Sequence, residues 1–404
     1  MESYVVIGGG IAGLTAANAL AGQDAKVILF EQSDHLGGRA RSQNENGYIF
    51  NLGPHALYGG GHASRTLRAW NIPFSGGNPP TAATGSFVRD RHFYPMFTNL
   101  GGLLKSRLFT VREKVEVANL FRLFANAKAD AAETTAAWFD RHISSLHVRE
   151  FAATVIRIST YAVDIDRLSA QAALAQVASA LKHNVLYLDG GWQTLIDGLA
   201  QRARLLGVDI RCGEPIASLE SVLAKYNPTG IVLAVGPKQV EQITAVNLAS
   251  APPVSMASLD LGLKAVPANI PKVAFALDQP LYFSVHSAAA RLATPGREVV
   301  HVAKYLSQSR QHDPKTLRAE LEDYATLVMP DWRSHVEFER FLPDLTVTRR
   351  MLGIANQPNV DLLKTERIAI AGDWVGSDGM LADAAVASAL RAAGFVRRAK
   401  AAAA

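Results

Sequence analysis

Three glycines near the amino terminus have the spacing that holds a phosphate group. Gly8, Gly10 and Gly13 follow the apolar run Tyr4–Ile7 in the pattern G-x-G-x-x-G. In a strand–turn–helix unit, the first glycine permits the tight turn and the second lets the backbone approach a pyrophosphate. The third lets the helix pack closely against the strand. The spacing therefore predicts a dinucleotide-binding turn.

The residues around this turn extend the same prediction. A helix is expected from Ile11 and Ala12, and its free N–H groups would face the phosphates. The next strand-like run, Val27–Phe30, ends at Glu31. A carboxylate at that position can accept hydrogen bonds from ribose hydroxyls and would repel a 2′-phosphate, which disfavours NADP. The alternative, a glycine-rich loop without a ligand, explains neither the strand, the helix nor the acid.

Two further segments fit a dinucleotide. The run Gly-Gly-Arg-Ala-Arg at residues 37–41 follows Glu31 and suits a second loop that folds over a pyrophosphate. Near the other end of the chain, Gly372 and Asp373 follow the apolar run 368–371, and a glycine-rich turn at residues 376–379 precedes the last helix. An aspartate at a strand end can bind sugar hydroxyls, and such a turn can direct N–H groups at an anion.

In combination, these segments resemble the flavoprotein superfamily of amine oxidases, protoporphyrinogen oxidases and phytoene desaturases. The resemblance covers essentially the whole chain and is strongest to the phytoene desaturase-like branch. It implies FAD as the cofactor, with the amino-terminal glycines on its pyrophosphate and Glu31 on its adenosine ribose. It also implies a placement along the cofactor for other residues: Gly38 and Arg39 beside its length, Gly53 and Pro54 near the flavin ring, Ile216 at the adenine, Gly372 and Asp373 at the ribityl chain, and Met380 at the flavin N1–O2 edge.

The chain also departs from the amine oxidases. Their Gly-Ser-x-Glu-Gly-Ala run is replaced by Gly-Ser-Asp-Gly-Met-Leu-Ala-Asp at residues 376–383. The lysine that many of them hold near flavin N5 cannot be placed, because Lys264 and Lys304 are candidates by region alone. No second G-x-G-x-x-G occurs, so we expect an external electron acceptor: oxygen, a quinone or a carrier.

The sequence offers three candidates for catalysis and one for substrate binding. His55 follows a Gly-Pro turn that would aim it at the flavin, although a histidine bonded to local backbone is an equal alternative. Tyr282 and His286 would share a face of an alternating strand, either lining the pocket or forming a polar surface. Arg340, on a segment read as a loop, could bind an acidic substrate group or be solvated. No metal site is expected.

The composition of the chain excludes several classes of protein. The 404 residues have a formal net charge of +5, 49% hydrophobic residues and one cysteine, Cys212. One cysteine excludes an internal disulfide and a cysteine metal cluster, and a reducing cytoplasm is the simplest expectation. No apolar run reaches the about 18 residues of a membrane span, and no basic leader precedes the first strand. No pattern of basic and aromatic residues indicates nucleic-acid binding.

The segment from Arg91 to Phe109 is apolar with basic residues between. It could form a pocket entrance with peripheral membrane contact, as in relatives that act on lipids or porphyrins, or it could pack in the core of a helical subdomain. Both interpretations stay open at the level of sequence.

The order of patterns predicts an α/β fold with a discontinuous, Rossmann-like FAD-binding domain of the glutathione reductase type. Residues 1–77, 186–250 and 345–400 would form it. Residues 78–185 and 251–344 would form an inserted α+β substrate domain, with an antiparallel sheet and a helical subdomain.

The expected function is that of an FAD-dependent oxidoreductase. It would dehydrogenate an apolar or amphipathic small molecule by hydride transfer to flavin N5. The first alternative is a flavin amine oxidase that releases hydrogen peroxide. A non-redox isomerase with bound FAD, and a binding protein similar to the Rab GDP-dissociation inhibitors, rank below these two.

Overall fold

The computed structural model describes residues 2–80, 84–126, 128–130, 132–248, 252–350 and 357–401. The strands are β1 Glu2–Ile7, β2 Ala25–Phe30, β3 Ser42–Glu45, β4 Tyr48–Asn51, β5 Leu57–Tyr58, β6 Gly76–Gly77, β7 Gly85–Arg89, β8 His92–Pro95, β9 Val185–Leu188, β10 Asp209–Arg211, β11 Gly230–Leu233, β12 Val254–Leu263, β13 Val273–Ala276, β14 Leu281–Val285, β15 Glu298–Leu306, β16 Val336–Thr348 and β17 Ile368–Ile370.

The helices of the described ranges alternate with these strands. They are α1 Ile11–Leu20, α2 His62–Ala69, α3 Leu100–Lys105, α4 Val111–Asn126, α5 Thr135–His142, α6 Leu146–Thr160, α7 Ala170–His183, α8 Gln193–Leu205, α9 Leu219–Tyr226, α10 Pro237–Thr244, α11 Pro314–Val328 and α12 Leu381–Ala401. Short 3₁₀ turns occupy Gly38–Ala40, His286–Ala288 and Trp332–His335.

A five-stranded parallel sheet forms the nucleotide-binding part, in the order β10-β2-β1-β11-β17. Its strands are short apolar runs buried on both faces, as parallel sheets require. Helices α1, α8 and α12 share one core on this sheet, which includes Leu14, Leu199 and Val396. Because a Cβ at Gly13 would overlap the Gly8 carbonyl oxygen, only glycine lets α1 lie this close to the turn after β1.

A seven-stranded sheet faces the first one, in the order β16-β12-β15-β14-β13-β7-β8. All its pairings are antiparallel except that of β13 with β7. The alternating strand expected to carry Tyr282 and His286 is β14, which begins at Leu281 and ends at Val285. His286 itself begins a 3₁₀ turn.

The reading of Arg340 as a loop residue is wrong, because it lies within β16. Pro343 in the same segment suggested a loop, since proline cannot donate to a sheet ladder. However, β16 is an edge strand, where one side of the ladder is free, and its register with β12 shifts between Met256 and Ser258. An edge position and a bulge together accommodate the proline.

The helical subdomain predicted from the sequence corresponds to helices α3 to α7. They bury an aromatic core against one face of the seven-stranded sheet, including Phe87, Trp138 and Phe151. Helix α11 covers the other face. The predicted domain bounds stay a prediction, and the boundary at residues 250 and 251 lies outside the described residues.

Candidate functional site

A cavity of about 560 Å³ lies between the two sheets. The carboxyl ends of β1, β2, β11 and β17 line one side, and Met256 of β12 and Leu345 of β16 line the other. Its volume is within the range of ligand pockets. A crevice at the carboxyl ends of parallel strands is where open α/β sheets bind nucleotides.

The glycine turn forms one wall of this cavity. Gly8 has φ +110°, and a Cβ there would lie 2.5 Å from the Ala234 carbonyl oxygen. By contrast, a Cβ at Gly10 would meet nothing closer than the Gly37 carbonyl oxygen at 3.9 Å, so bare backbone opens on the cavity. Helix α1 begins beside it at Ile11, with no acidic side chain in its first turn. Bare backbone and free N–H groups at a helix start fit a pyrophosphate.

Glu31 also lines the cavity, and local hydrogen bonds fix its carboxylate. Gly9 N donates to Oε2 at 2.6 Å, and Ser33 donates to Oε1 from its backbone N at 3.0 Å and from its hydroxyl at 2.9 Å. Oε1 thus accepts two hydrogen bonds, whereas Oε2 accepts one and keeps a second lone pair available. This geometry is compatible with acceptance of ribose hydroxyls, as predicted for this residue.

Arg39 and Asp373 come from opposite ends of the chain and meet in the cavity wall. The guanidinium donates to both carboxylate oxygens, at 2.7 and 2.6 Å, and to the Val347 carbonyl at 3.0 Å. The backbone N of Arg349 donates to the same carboxylate at 3.0 Å. Burial raises the pKa of Asp373, but the charge and hydrogen bonds of Arg39 outweigh it and lower the pKa to about 2. The pair is therefore ionised.

Of the other cofactor residues predicted from the resemblance, some line the cavity, whereas Gly53 and Met380 do not. Gly38, Pro54, Ile216 and Gly372 line the cavity. Gly53 has φ +78°, and a Cβ there would lie 2.5 Å from the Leu345 Cδ2 atom, so glycine suits both the backbone conformation and the close packing at this position.

Met380 is buried just before α12 rather than in the cavity lining. Its carbonyl accepts from the N–H groups of Asp383 at 3.1 Å and Ala384 at 3.3 Å, and so begins the helix. Leu381 and Ala382 line the cavity in its place.

His55 lines the cavity, directly after Gly53 and Pro54 in the chain. Its Nδ1 donates to the Gly53 carbonyl at 3.0 Å, and its ring meets the edge of Trp192 with centroids 5.1 Å apart. Burial lowers the pKa of His55 and outweighs the Gly53 carbonyl, which favours the protonated ring. A neutral imidazole therefore faces the predicted flavin position.

Tyr282 and His286 come together as predicted, but neither lies among the described residues that line the cavity. The Tyr282 hydroxyl is 3.2 Å from His286 Nε2 and 2.8 Å from the Tyr187 hydroxyl. The His286 ring stacks on Tyr187 with centroids 3.8 Å apart. Burial, with His301 and His55 nearby, holds the pKa of His286 well below its usual value. These contacts place the pair in the sheet core.

Arg340 is not brought to the cavity either. Its guanidinium donates to Asp260 Oδ2 at 2.6 and 3.1 Å, to Gln43 Oε1 at 2.6 Å and to the Asn51 carbonyl at 2.6 Å. Asp260 also accepts from His301 Nδ1 at 2.6 Å. Arg340 therefore joins β16 to the hairpin of β3 and β4, which gives it internal partners in place of the predicted substrate.

Sequence reasoning missed the residues that surround His55. The cavity near His55 is also lined by Tyr161, Trp192, Met256 and Leu345. The Tyr161 hydroxyl donates to the Pro54 carbonyl at 3.2 Å. No spacing rule marks such residues, because they lie directly after α6, directly before α8, on β12 and on β16, and converge only in the fold.

Lysine is missing from the described cavity lining. Lys304 pairs with Glu320, and Lys264 is exposed at the end of β12. Among the described residues, no group of three or more histidine, cysteine or carboxylate side chains could hold a metal ion.

The turn, the fixed carboxylate and the long crevice define a dinucleotide-binding α/β protein. The family of flavin containing amine oxidoreductases matches residues 11–268, more than half of the chain. The chain belongs to this family, which confirms the resemblance seen in the sequence. FAD is accordingly its cofactor, and the predicted class of FAD-dependent oxidoreductase agrees with the family.

Individual relatives are more distant. Coproporphyrinogen III oxidase of Mycobacterium tuberculosis is 29% identical over 250 residues, which are 52% of this chain and 53% of that protein. The 4,4′-diaponeurosporene oxygenase of Staphylococcus aureus is 42% identical over 56 residues, 14% of this chain and 11% of that protein. At most, the chain thus spans about half the length of these relatives.

The fold is shared with solved structures. An oxidoreductase from Methanosarcina mazei superposes with a TM-score of 0.77 at 15% identity, over 96% of this chain and 99% of the other. The predicted fold class, a Rossmann-like FAD-binding fold with an inserted α+β part, is confirmed.

Proposed function

We propose that this protein dehydrogenates an apolar or amphipathic small molecule by hydride transfer to flavin N5. The observation that carries the proposal is the chemistry of the cavity at His55, where Tyr161, Trp192, Met256 and Leu345 surround a neutral imidazole. An apolar wall of this kind binds apolar substrate and excludes water. The names of two relatives, an oxidase of a porphyrinogen and an oxygenase of a diaponeurosporene, support the same substrate class.

The roles of the chain's own residues follow from their positions. The glycine turn and Glu31 would hold the adenosine end of the cofactor, and the Arg39–Asp373 pair would fix the wall beside its middle. When bound, the flavin supplies the acceptor for a hydride from a substrate C–H bond. Trp192 and Tyr161 would orient the substrate and keep the site dry, and His55 could accept a proton at Nε2, since its Nδ1 is committed to Gly53.

The amine oxidase alternative has less support from the site. Lysine is missing from the described lining, and none of the residues named around His55 is a carboxylate that could pair with an ammonium group. Electrons would leave to an external acceptor, which we propose to be oxygen, a quinone or a carrier.

We also propose peripheral contact with a membrane, from a cytoplasmic location. The segment from Arg91 to Phe109 serves both interpretations raised by the sequence, because Phe97, Leu103 and Phe109 are buried while Leu100 and Leu104 are each 60% exposed. Among the described residues, no helix has the length and apolar character to cross a bilayer.

The test is anaerobic titration of the FAD-loaded protein with polyenes, porphyrinogens and simple amines. We expect bleaching of the flavin absorbance by a polyene or a porphyrinogen. Bleaching by amines alone would contradict the proposal in favour of amine oxidation. A purified protein that takes up no FAD would contradict the cofactor site itself.

A further inference from the structure

Two arginines line the described part of the cavity, and their environments differ. Arg39 is neutralised, because its guanidinium makes two hydrogen bonds to the Asp373 carboxylate. The Arg349 side chain has no hydrogen bond or ion pair to any described residue, although its backbone N–H binds Asp373. Arg349 therefore brings a second positive charge to the cavity lining, and its side chain makes no direct ion pair with a described residue.

The acidic residues of the lining leave this charge free. Glu31 accepts from Gly9 and Ser33, and Asp373 is committed to Arg39. Glu214 lies at the rim, where its side chain is 48% exposed and 4.0 Å from Arg211. An arginine keeps its proton in this setting, and a bound anion would balance its charge.

The position of Arg349 identifies the anion. Its guanidinium packs against the bare backbone of Gly236, where a Cβ would lie 3.0 Å from the Arg349 Cζ atom. Gly236 follows the carboxyl end of β11, beside the turn at Gly8, whose own Cβ would lie 2.5 Å from the Ala234 carbonyl oxygen. Arg349 thus lies close to the glycine turn that is predicted to hold the pyrophosphate.

We propose that Arg349 binds the pyrophosphate of FAD and supplies the positive charge that the Arg39–Asp373 pair lacks. Guanidinium groups suit this role, because their planar donors match phosphate oxygens. The helix N-terminus of α1 would add its N–H groups from the other side. The proposal rests on the FAD site but not on the reaction proposed above.

The test measures ligand binding to the apoprotein of the full chain by fluorescence and calorimetry. Arg349→Gln should weaken FAD and ADP by roughly tenfold or more, the loss expected for one charge-assisted hydrogen bond, and should leave riboflavin unchanged. It should also reduce the salt dependence of FAD binding. Arg310→Gln, an exposed arginine after β15, should match the wild type.

Wild-type affinity of Arg349→Gln for FAD would overturn the proposal, and so would an equal loss of riboflavin binding. Arg349→Met keeps the aliphatic stem and replaces the glutamine variant if that one fails to fold, with the same expected pattern. Failure of the wild type to bind FAD would contradict the cofactor site instead, so the two failures are distinguishable.

Discussion

At the scale of single residues, Asp373 depends on one partner. Its carboxylate is buried and stays ionised because Arg39 makes two hydrogen bonds to it. Loss of one partner from a buried ion pair leaves the other charge unpaired, which costs about 3–5 kcal/mol. The pair therefore stabilises the fold and also lines the cavity.

Asp373→Asn should lower the melting temperature and reduce FAD occupancy, because Arg39 loses its counter-charge. The control is Asp378→Asn, whose carboxylate pairs with Arg391 at the surface, with a side chain 47% exposed. Both variants are compared by thermal unfolding and by FAD content after dialysis. Equal melting temperatures for Asp373→Asn and the wild type would show that the pair does not stabilise the fold.

The same carboxylate gives a pH dependence with a defined sign. Its pKa is lowered from the ordinary 3.8 to about 2. The stabilisation is therefore complete above about pH 4 and is lost as the pH falls toward 2. Acid unfolding of Asp373→Asn should lack this part of the transition.

His286 should carry a pH dependence in a different range. Its pKa is held well below the ordinary 6.5 by burial, so the folded protein disfavours the proton that the unfolded chain binds. Stability is then unaffected above about pH 6.5 and decreases as the pH falls below it. His286→Phe, which keeps a ring against Tyr187, should weaken this decrease in melting temperature between neutral and mildly acid pH. Tyr187→Phe retains the histidine and should show the same decrease in melting temperature as the wild type. If the decrease in His286→Phe also equalled that of the wild type, His286 would not be its source.

At the scale of secondary structure elements, local patterns predicted what local physics determines. The unit of β1, turn and α1 was readable because glycine spacing, strand and helix are adjacent in sequence. Strand β16 could not be predicted in this way. Its Pro343 is tolerated only because the strand lies at the edge of the sheet and has a register shift, and both are properties of the sheet. The same limit applies to Arg340 and Arg349: their types were visible, but their partners lie on distant segments.

Helices α3 and α4 present apolar side chains to solvent. Leu100 and Leu104 of α3 and Val111 and Val115 of α4 are each at least 60% exposed. Basic residues accompany them at Lys105, Arg107, Arg112 and Lys114. An exposed apolar patch beside basic residues suits an anionic lipid surface.

The variant Leu104→Glu with Val115→Glu should reduce co-sedimentation with phosphatidylglycerol vesicles severalfold, since it adds negative charge and removes apolar area. Leu205→Glu is the matched control, because Leu205 is 80% exposed on α8, in the nucleotide-binding part. Equal losses in both variants, or no binding by the wild type, would exclude this patch as a membrane contact.

At the scale of the whole molecule, the cavity exists only because segments far apart in sequence are fixed against each other. The Arg39–Asp373 pair joins residues 334 positions apart. A second cluster joins the seven-stranded sheet to the β3–β4 hairpin: Asp260 binds His301 and Arg340, and Arg340 reaches Gln43 and Asn51. Both clusters are directional, so they fix these distant segments against each other.

Arg340 distinguishes this architectural role from substrate binding. Arg340→Gln leaves Asp260 buried with only His301 and Ser258, so it should lower the free energy of unfolding by about 3–5 kcal/mol. FAD affinity should change little, because Arg340 does not line the cavity. Thermal unfolding and FAD titration measure the two quantities, with Arg333→Gln as an exposed control that pairs with Glu322. If Arg340 bound substrate instead, the variant would keep its stability and lose apparent affinity for the substrate alone. We expect the opposite, because the hydrogen-bond partners of its guanidinium, Asp260, Gln43 and Asn51, are groups of the protein that do not line the cavity.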